Sequence, residues 1–176
     1  MNSTKLVIKR TKAIVALAVT LMSAAAMSTP AFAGDNKVYS GSMCDVQTPA
    51  FNNRISRAGG VALNNGTSQV TVHCPVVRDN TSGHENGIGP VAVVHVFNNN
   101  PNSVNITCSL RAYKPGGDTS FNSRSLTQSV TGGSPGTPGK FMFNFNTPVQ
   151  QTPNGAYEVA CDLPAGSAIA SYSVPE

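Results

Sequence analysis

The sequence predicts an all-β domain: a two-sheet antiparallel sandwich of Greek-key or jelly-roll type, with eight or nine strands and two disulfides. Three observations lead there. Apolar and polar residues alternate in Val70-x-Val72-x-Cys74, in Val104-x-Ile106-x-Cys108-x-Leu110 and in Tyr157-x-Val159-x-Cys161-x-Leu163, the period of a strand with one face in a core. No stretch shows a sustained 3.6-residue apolar period, while Gly, Pro and Asn clusters punctuate the chain throughout. In each alternating run a cysteine falls on the apolar face, so the residues that build the core also offer covalent cross-links. A closed barrel is the alternative arrangement of the same strands.

Residues 1–33 read as a secretory signal peptide rather than as part of the fold. Lys5, Lys9, Arg10 and Lys12 form the basic start, residues 13–26 are largely apolar, and Ala31-Phe32-Ala33 places small residues where a signal peptidase needs them. The apolar run is shorter than the ~18 residues of a membrane span. Residues 34–176 are therefore expected to form a single secreted or periplasmic domain without a membrane span. Four of the twelve basic residues lie in the leader, leaving eight against eight acidic ones in the remainder. A formally neutral domain gives no support for nucleic-acid binding and leaves little charge repulsion against self-association.

In chain order, a first strand is expected over residues 38–46, followed by a broken region whose Phe51, Ile55, Val61 and Leu63 supply core. Asn64-Asn65-Gly66 is a turn signal, since both residue types accept positive φ, and it leads into the strand at 70–74. Pro75 cannot donate to a ladder, so pairing should change there. A long polar loop follows from Arg78 to Pro90. Residues 91–97 are apolar on both faces except at His95, which marks a central strand; 104–113 alternate with Asn105, Thr107, Ser109 and Arg111 on the wet face. Residues 121–130 alternate weakly, as an edge strand does, and the Gly- and Pro-rich 131–140 read as a mobile loop. Phe141, Phe143 and Phe145 share one face, with Met142 and Asn144 on the other. In the last strand, 167–174, Ile169 is in phase with Ser171 and Ser173, and Ala168, Ala170, Tyr172 and Val174 line the other side.

Cys44, Cys74, Cys108 and Cys161 all survive cleavage and would meet an oxidising compartment. Of the three possible pairings, Cys44–Cys74 and Cys108–Cys161 are favoured, because the second joins two strands of matching pattern and the first stays in the N-terminal part. A four-cysteine zinc site would want close Cys-x-x-Cys pairs, which the chain lacks.

At Cys74-Pro75-Val76-Val77-Arg78-Asp79, together with Tyr157-x-Val159-x-Cys161-x-Leu163-Pro164 and the closing Ser171-Tyr172-Ser173-Val174, the chain resembles small exported bacterial proteins of unassigned function. The resemblance implies a disulfide-linked β domain and carries over no catalytic residue. Subunits of chaperone-assembled pili are also small, exported and β-rich, but their pattern has a penultimate tyrosine and Tyr172 stands further from the end.

No catalytic grouping is expected, so no enzyme is. Glu158 and Asp162 share a strand face about 13 Å apart, beyond the separation of paired glycosidase carboxyls. Gly-x-Ser-x-Gly, His-Glu-x-x-His and phosphate-cradling glycine loops are missing. Nor does any motif demand a cofactor. Two cation sites are conceivable: His73 and His95, if their strands pair, could hold a transition metal with His84 or Glu85, and the oxygen-rich 79–86 loop could take calcium. Two separate half-buried histidines and an ordinary turn are the plainer readings. Arg78 and Asp79 read as an ion pair tying the loop more readily than as a ligand site. For an extracellular glycan, Tyr113 beside Arg111 and Lys114 is the tyrosine placed for stacking.

Together these features lead to a secreted, non-enzymatic β-sandwich that binds or self-assembles at the cell exterior. A carbohydrate- or small-ligand-binding module is the second reading, and a small secreted hydrolase or inhibitor the third.

Overall fold

The computed structural model describes residues 36–77, 89–116, 120–134, 136–150 and 155–175. Residues 1–33, where a signal peptide is expected, lie outside the described residues, as do Arg78, Asp79, His84 and Glu85. Eleven strands occur among the described residues: β1 (Asn36–Ser40), β2 (Asp45–Val46), β3 (Ile55–Ser56), β4 (Ala62–Asn64), β5 (Val70–Val76), β6 (Ala92–Asn98), β7 (Val104–Tyr113), β8 (Ser120–Val130), β9 (Gly139–Phe145), β10 (Ala156–Leu163) and β11 (Ser167–Pro175).

They form two antiparallel sheets packed face to face. The first runs β3-β4-β11-β6-β9, with β1 also paired to β11; the second runs β2-β5-β10-β7-β8. Eight of the strands pair as nested ribbons, β4 with β11, β5 with β10, β6 with β9 and β7 with β8, assigned to the two sheets in alternation. That nesting is the jelly-roll arrangement. The eight or nine strands expected from the sequence are this roll. The surplus consists of the short β1, β2 and β3, where one strand over 38–46 was expected and a 3₁₀ turn at Gly41–Met43 interrupts it instead. Among the described residues no helix is long and apolar enough to cross a membrane.

The core lies between the sheets. Val70, Val72, Ile106, Leu110, Val159 and Leu163 reach it from the second sheet, and Val94, Val96, Phe143, Ile169 and Tyr172 from the first, all at most 2% exposed. Ile55 is buried as expected, but Val61 and Leu63 are half-exposed, and the core position between them belongs to Ala62. Both disulfides sit on the inner face of the second sheet and are fully buried: Cys44–Cys74, and Cys108–Cys161 between directly opposed residues of β7 and β10. Each cross-links neighbours within one sheet. Their Cα separations, 4.0 and 4.1 Å, are those of the narrow pairs of an antiparallel ladder.

Three local expectations change. Pairing of β5 with β2 stops at His73, before Pro75, while pairing with β10 continues to Val76, so the missing donor affects only the outer edge. In β11 the register to β6 shifts between Ile169 and Ser171. This bulge at Ala170 resets the alternation: Ile169, Tyr172 and Val174 all face inward, and Ile169 leaves the phase of Ser171 and Ser173. Finally, the 131–140 segment is not loose throughout. A Cβ on Gly139 would stand 1.9 Å from the Thr131 carbonyl oxygen, so only glycine fits this approach, and Lys140 already belongs to β9.

Candidate functional site

The two outer faces of the sandwich differ in chemistry. On the second sheet, register puts Asp45 beside His73, Glu158 beside Arg111 and Pro75, and the hydroxyl residues of β7 beside those of β8. Side chains of neighbouring strands then bond to one another. Thr107 meets Thr127 and Ser109 meets Ser125, each at 2.8 Å, and Thr71 donates to Asp162 at 2.6 Å.

Glu158 is the centre of this face. His73 Nδ1 lies 2.9 Å from its Oε2, while Arg111 Nη1 at 3.3 Å and the Tyr113 hydroxyl approach Oε1. The Glu158 side chain is 17% exposed. Burial by itself would raise its carboxyl, but the hydrogen bonds from His73 and Tyr113 and the charges of His73 and Arg111 outweigh burial and hold it below the usual carboxylate range. The Tyr113 phenol is pushed up, first by burial and then by its bond to Glu158. His73 Nε2 is buried without a partner. Three donors on one carboxylate leave it little capacity for a ligand. Tyr113, expected to be available for stacking, is half-buried and tied by its hydroxyl, and Arg111 is tied to the same carboxylate. This network builds the face; it does not offer an open site.

His73 and His95, which could meet only if their strands paired, lie on strands that do not pair. His73 lies on β5 of the second sheet and His95 on β6 of the first, each on the outer face of its own sheet. Among the described residues no group of three His, Cys, Asp or Glu side chains comes together as a metal site would require.

The open site is on the first sheet. A groove of about 460 Å³ runs over β9, β6 and β11, lined by Phe97, Met142 and Ala170 as its apolar part and by His95, Lys140 and Ser171 as its polar part. Its geometry follows from pairing. His95 stands between Met142 on β9 and Ser171 on β11, and Phe97 between Lys140 and Ala168. The Ala170 bulge displaces β11 beside His95. Met142 is 50% exposed and Val38, on the neighbouring β1, 69% exposed, so this outer face carries apolar side chains in water. His95 and Ser171 are register partners on this face, and no hydrogen bond joins them among the described residues. A smaller cavity of about 290 Å³ lies between the edge strands β8 and β9, lined by Arg124, Ser125, Leu126, Asn144 and Phe145 among others.

Sequence reading singled out His95 but missed Phe97, Lys140, Met142 and Ser171. The available signal was the outward phase of Met142 opposite the three phenylalanines. What was lacking was the pairing of β6 with β9 and β11, which no local pattern encodes.

No protein-family model matches the chain, and no curated protein sequence does. Among solved structures, the chain is similar to the C-terminal family 6 carbohydrate-binding module of a marine laminarinase from Zobellia galactanivorans, at 10% identity and a TM-score of 0.43, over 81% of this chain and 100% of that one. It is also similar to a family 35 carbohydrate-binding module from Clostridium thermocellum (10% identity, TM-score 0.37, 80% and 97% covered). A further match is a Cellvibrio mixtus lichenase module in complex with cellotriose (11% identity, TM-score 0.36, 80% and 96% covered). At such values no ligand passes from these proteins to this chain.

Proposed function

We propose that this chain is a non-enzymatic binding domain that acts outside the cell and takes a saccharide in the groove over β9, β6 and β11. One observation carries the reading: the groove joins an aromatic and thioether surface, Phe97 and Met142, to separate polar groups, His95, Lys140 and Ser171, on paired strands. A sugar ring has the matching construction, with an apolar C–H face and a perimeter of hydroxyls. The volume falls within the range of small-molecule sites. Strand-borne side chains are also preorganised, which lowers the ordering cost of binding. The buried disulfides suit an oxidising, extracellular setting.

A glycan array probed with residues 34–176, followed by calorimetry on any hit, tests this. Phe97→Ala should weaken a hit by about tenfold or more, the effect of losing one central aromatic contact, measured on variant protein whose β circular dichroism shows it to be folded. An array without hits, or a hit indifferent to Phe97→Ala, discards the reading.

A further inference from the structure

The basic residues of the described structure divide into two sets. Arg57 is bonded to Asp45 at 2.6 Å, Arg111 to Glu158 at 3.3 Å, Arg54 to Ser68 and over the Phe51 ring, and Lys37 reaches the Val77 carbonyl. Lys114 is also engaged. Lys140 and Arg124 have no such partner among the described residues, and each lines one of the two cavities. In a domain whose acidic and basic residues are equal in number beyond residue 33, free cations placed at cavities call for an explanation.

At the larger groove the surroundings sharpen the point. Lys140 pairs with Phe97 and Met142 with His95, so Lys140 and His95 are diagonal neighbours on adjacent strands of one face. Diagonal positions stand about 7–8 Å apart, a span that a flexible lysine and a ring N–H can close around one polyatomic group. The lining includes no aspartate or glutamate, and Ser171 adds a hydroxyl on the opposite side of His95. Two donors and a hydroxyl converge with no acceptor charge to meet them.

We propose that the ligand of this groove is anionic: a saccharide bearing a carboxylate or sulfate, its charged group held between Lys140 and His95 and its ring against Phe97 and Met142. This rests on the groove being a saccharide site, and narrows the class. An ammonium on a strand acts as a point charge and accepts either anion, so the carboxylate and the sulfate share one chemistry and the test distinguishes them.

The test compares matched oligosaccharides of equal length by calorimetry: a galacturonide against its neutral galactoside, and a sulfated sugar against its unsulfated parent, each at low and high salt. The charged member of at least one pair should bind about tenfold more tightly, and added salt should erode that difference. Lys140→Gln should abolish the preference of the charged over the neutral member while leaving the unfolding midpoint unchanged, and Lys140→Arg should restore the preference. Equal or tighter binding of the neutral members, or a preference that survives Lys140→Gln, overturns the anionic assignment and leaves the saccharide reading standing. Failure of every member to bind, or binding of free inorganic sulfate and simple carboxylates without any sugar, overturns both.

Discussion

Tyr39 and Tyr172 oppose one another across β1 and β11, their rings stacked with centroids 4.9 Å apart, and both hydroxyls cross to the other sheet. Tyr172 donates to the Pro75 carbonyl at 2.7 Å and Tyr39 to the Val77 carbonyl at 2.6 Å. The first of these carbonyls belongs to the end of β5 that β2 no longer pairs, and the second to the residue that follows β5. The pair therefore ties the two sheets where the ladder of the second one gives out.

Tyr172→Phe should destabilise the domain by about 0.5–1.5 kcal/mol, the net contribution of one hydrogen bond, since the Pro75 carbonyl left behind belongs to an exposed residue. A second signature distinguishes the hydroxyl from the ring. Burial pushes the Tyr172 phenol well above its ordinary 10.0, and Tyr39 nearby adds to this. Because the folded value is the raised one, the stability is present below pH 10 and is lost as pH rises from there toward the folded value. Urea midpoints measured at about pH 9 and pH 11 should fall on the alkaline side in the parent and fall less in Tyr172→Phe. An unchanged alkaline slope in the variant would refute this role.

Glu158 gives the opposite limb. Its carboxyl is lowered in the folded state, so its contribution is present above the unfolded value near 4.5 and disappears as pH falls through the folded one. Glu158→Gln keeps one acceptor oxygen for His73, Arg111 and Tyr113 to share. The expected cost at neutral pH is about 1–3 kcal/mol, with a flatter acid limb in a melting-temperature profile from about pH 6 to pH 3.

How far the sequence reaches can be judged at Cys161 and at Ile169. Cys161 sits in a strict alternation, so its face, its strand and its favoured partner Cys108 were all legible. Ile169 also sits in an alternation, yet its face was misassigned, because one extra residue at Ala170 inverts the phase and leaves no mark in composition. The groove was hidden for a related reason. Phe97, Lys140 and Ser171 are far apart in the chain and meet only through strand pairing, whereas periodicity reports the face of each strand and not its neighbour. The Glu158 network shows the same limit: each member was recognisable as outward-facing, but not that they would consume one another's hydrogen bonds.

The disulfides make a prediction about cooperativity. Both are fully buried, so alkylating reagents and thiol probes should find no reactive cysteine in the native protein. Loop closure over separations of 30 and 53 residues corresponds to about 4 kcal/mol each on the chain-entropy model. That is comparable with much of the net stability of a domain this size. Reduction under denaturant should therefore yield a chain that refolds poorly until reoxidised, measured by the recovery of native β circular dichroism. Efficient refolding of the reduced protein would show that the β ladders suffice alone.

Asn98 supports the end of the sandwich where the turns converge. It is fully buried, and its Nδ2 reaches the carbonyls of Asn102 at 2.9 Å, Thr131 at 3.2 Å and Val130 at 3.3 Å. Its Oδ1 accepts from the backbone and side chain of Asn100, whose amide continues to the Ala165 carbonyl. Asn100 also packs against Gly166, held at φ 71° in the β10–β11 turn. One side chain thus satisfies carbonyls from two different turns and organises a third, a role no water-exposed asparagine could fill. Asn98→Ala should cost about 2–3 kcal/mol, since the buried Val130 carbonyl and the part-buried carbonyls of Asn102 and Thr131 lose their shared donor together. Asn98→Asp should cost more, because it replaces the donor with a buried negative charge facing those same oxygens. Chemical denaturation of both variants checks the order, and a milder effect for aspartate than for alanine would mean that Nδ2 is not the group that holds the turns.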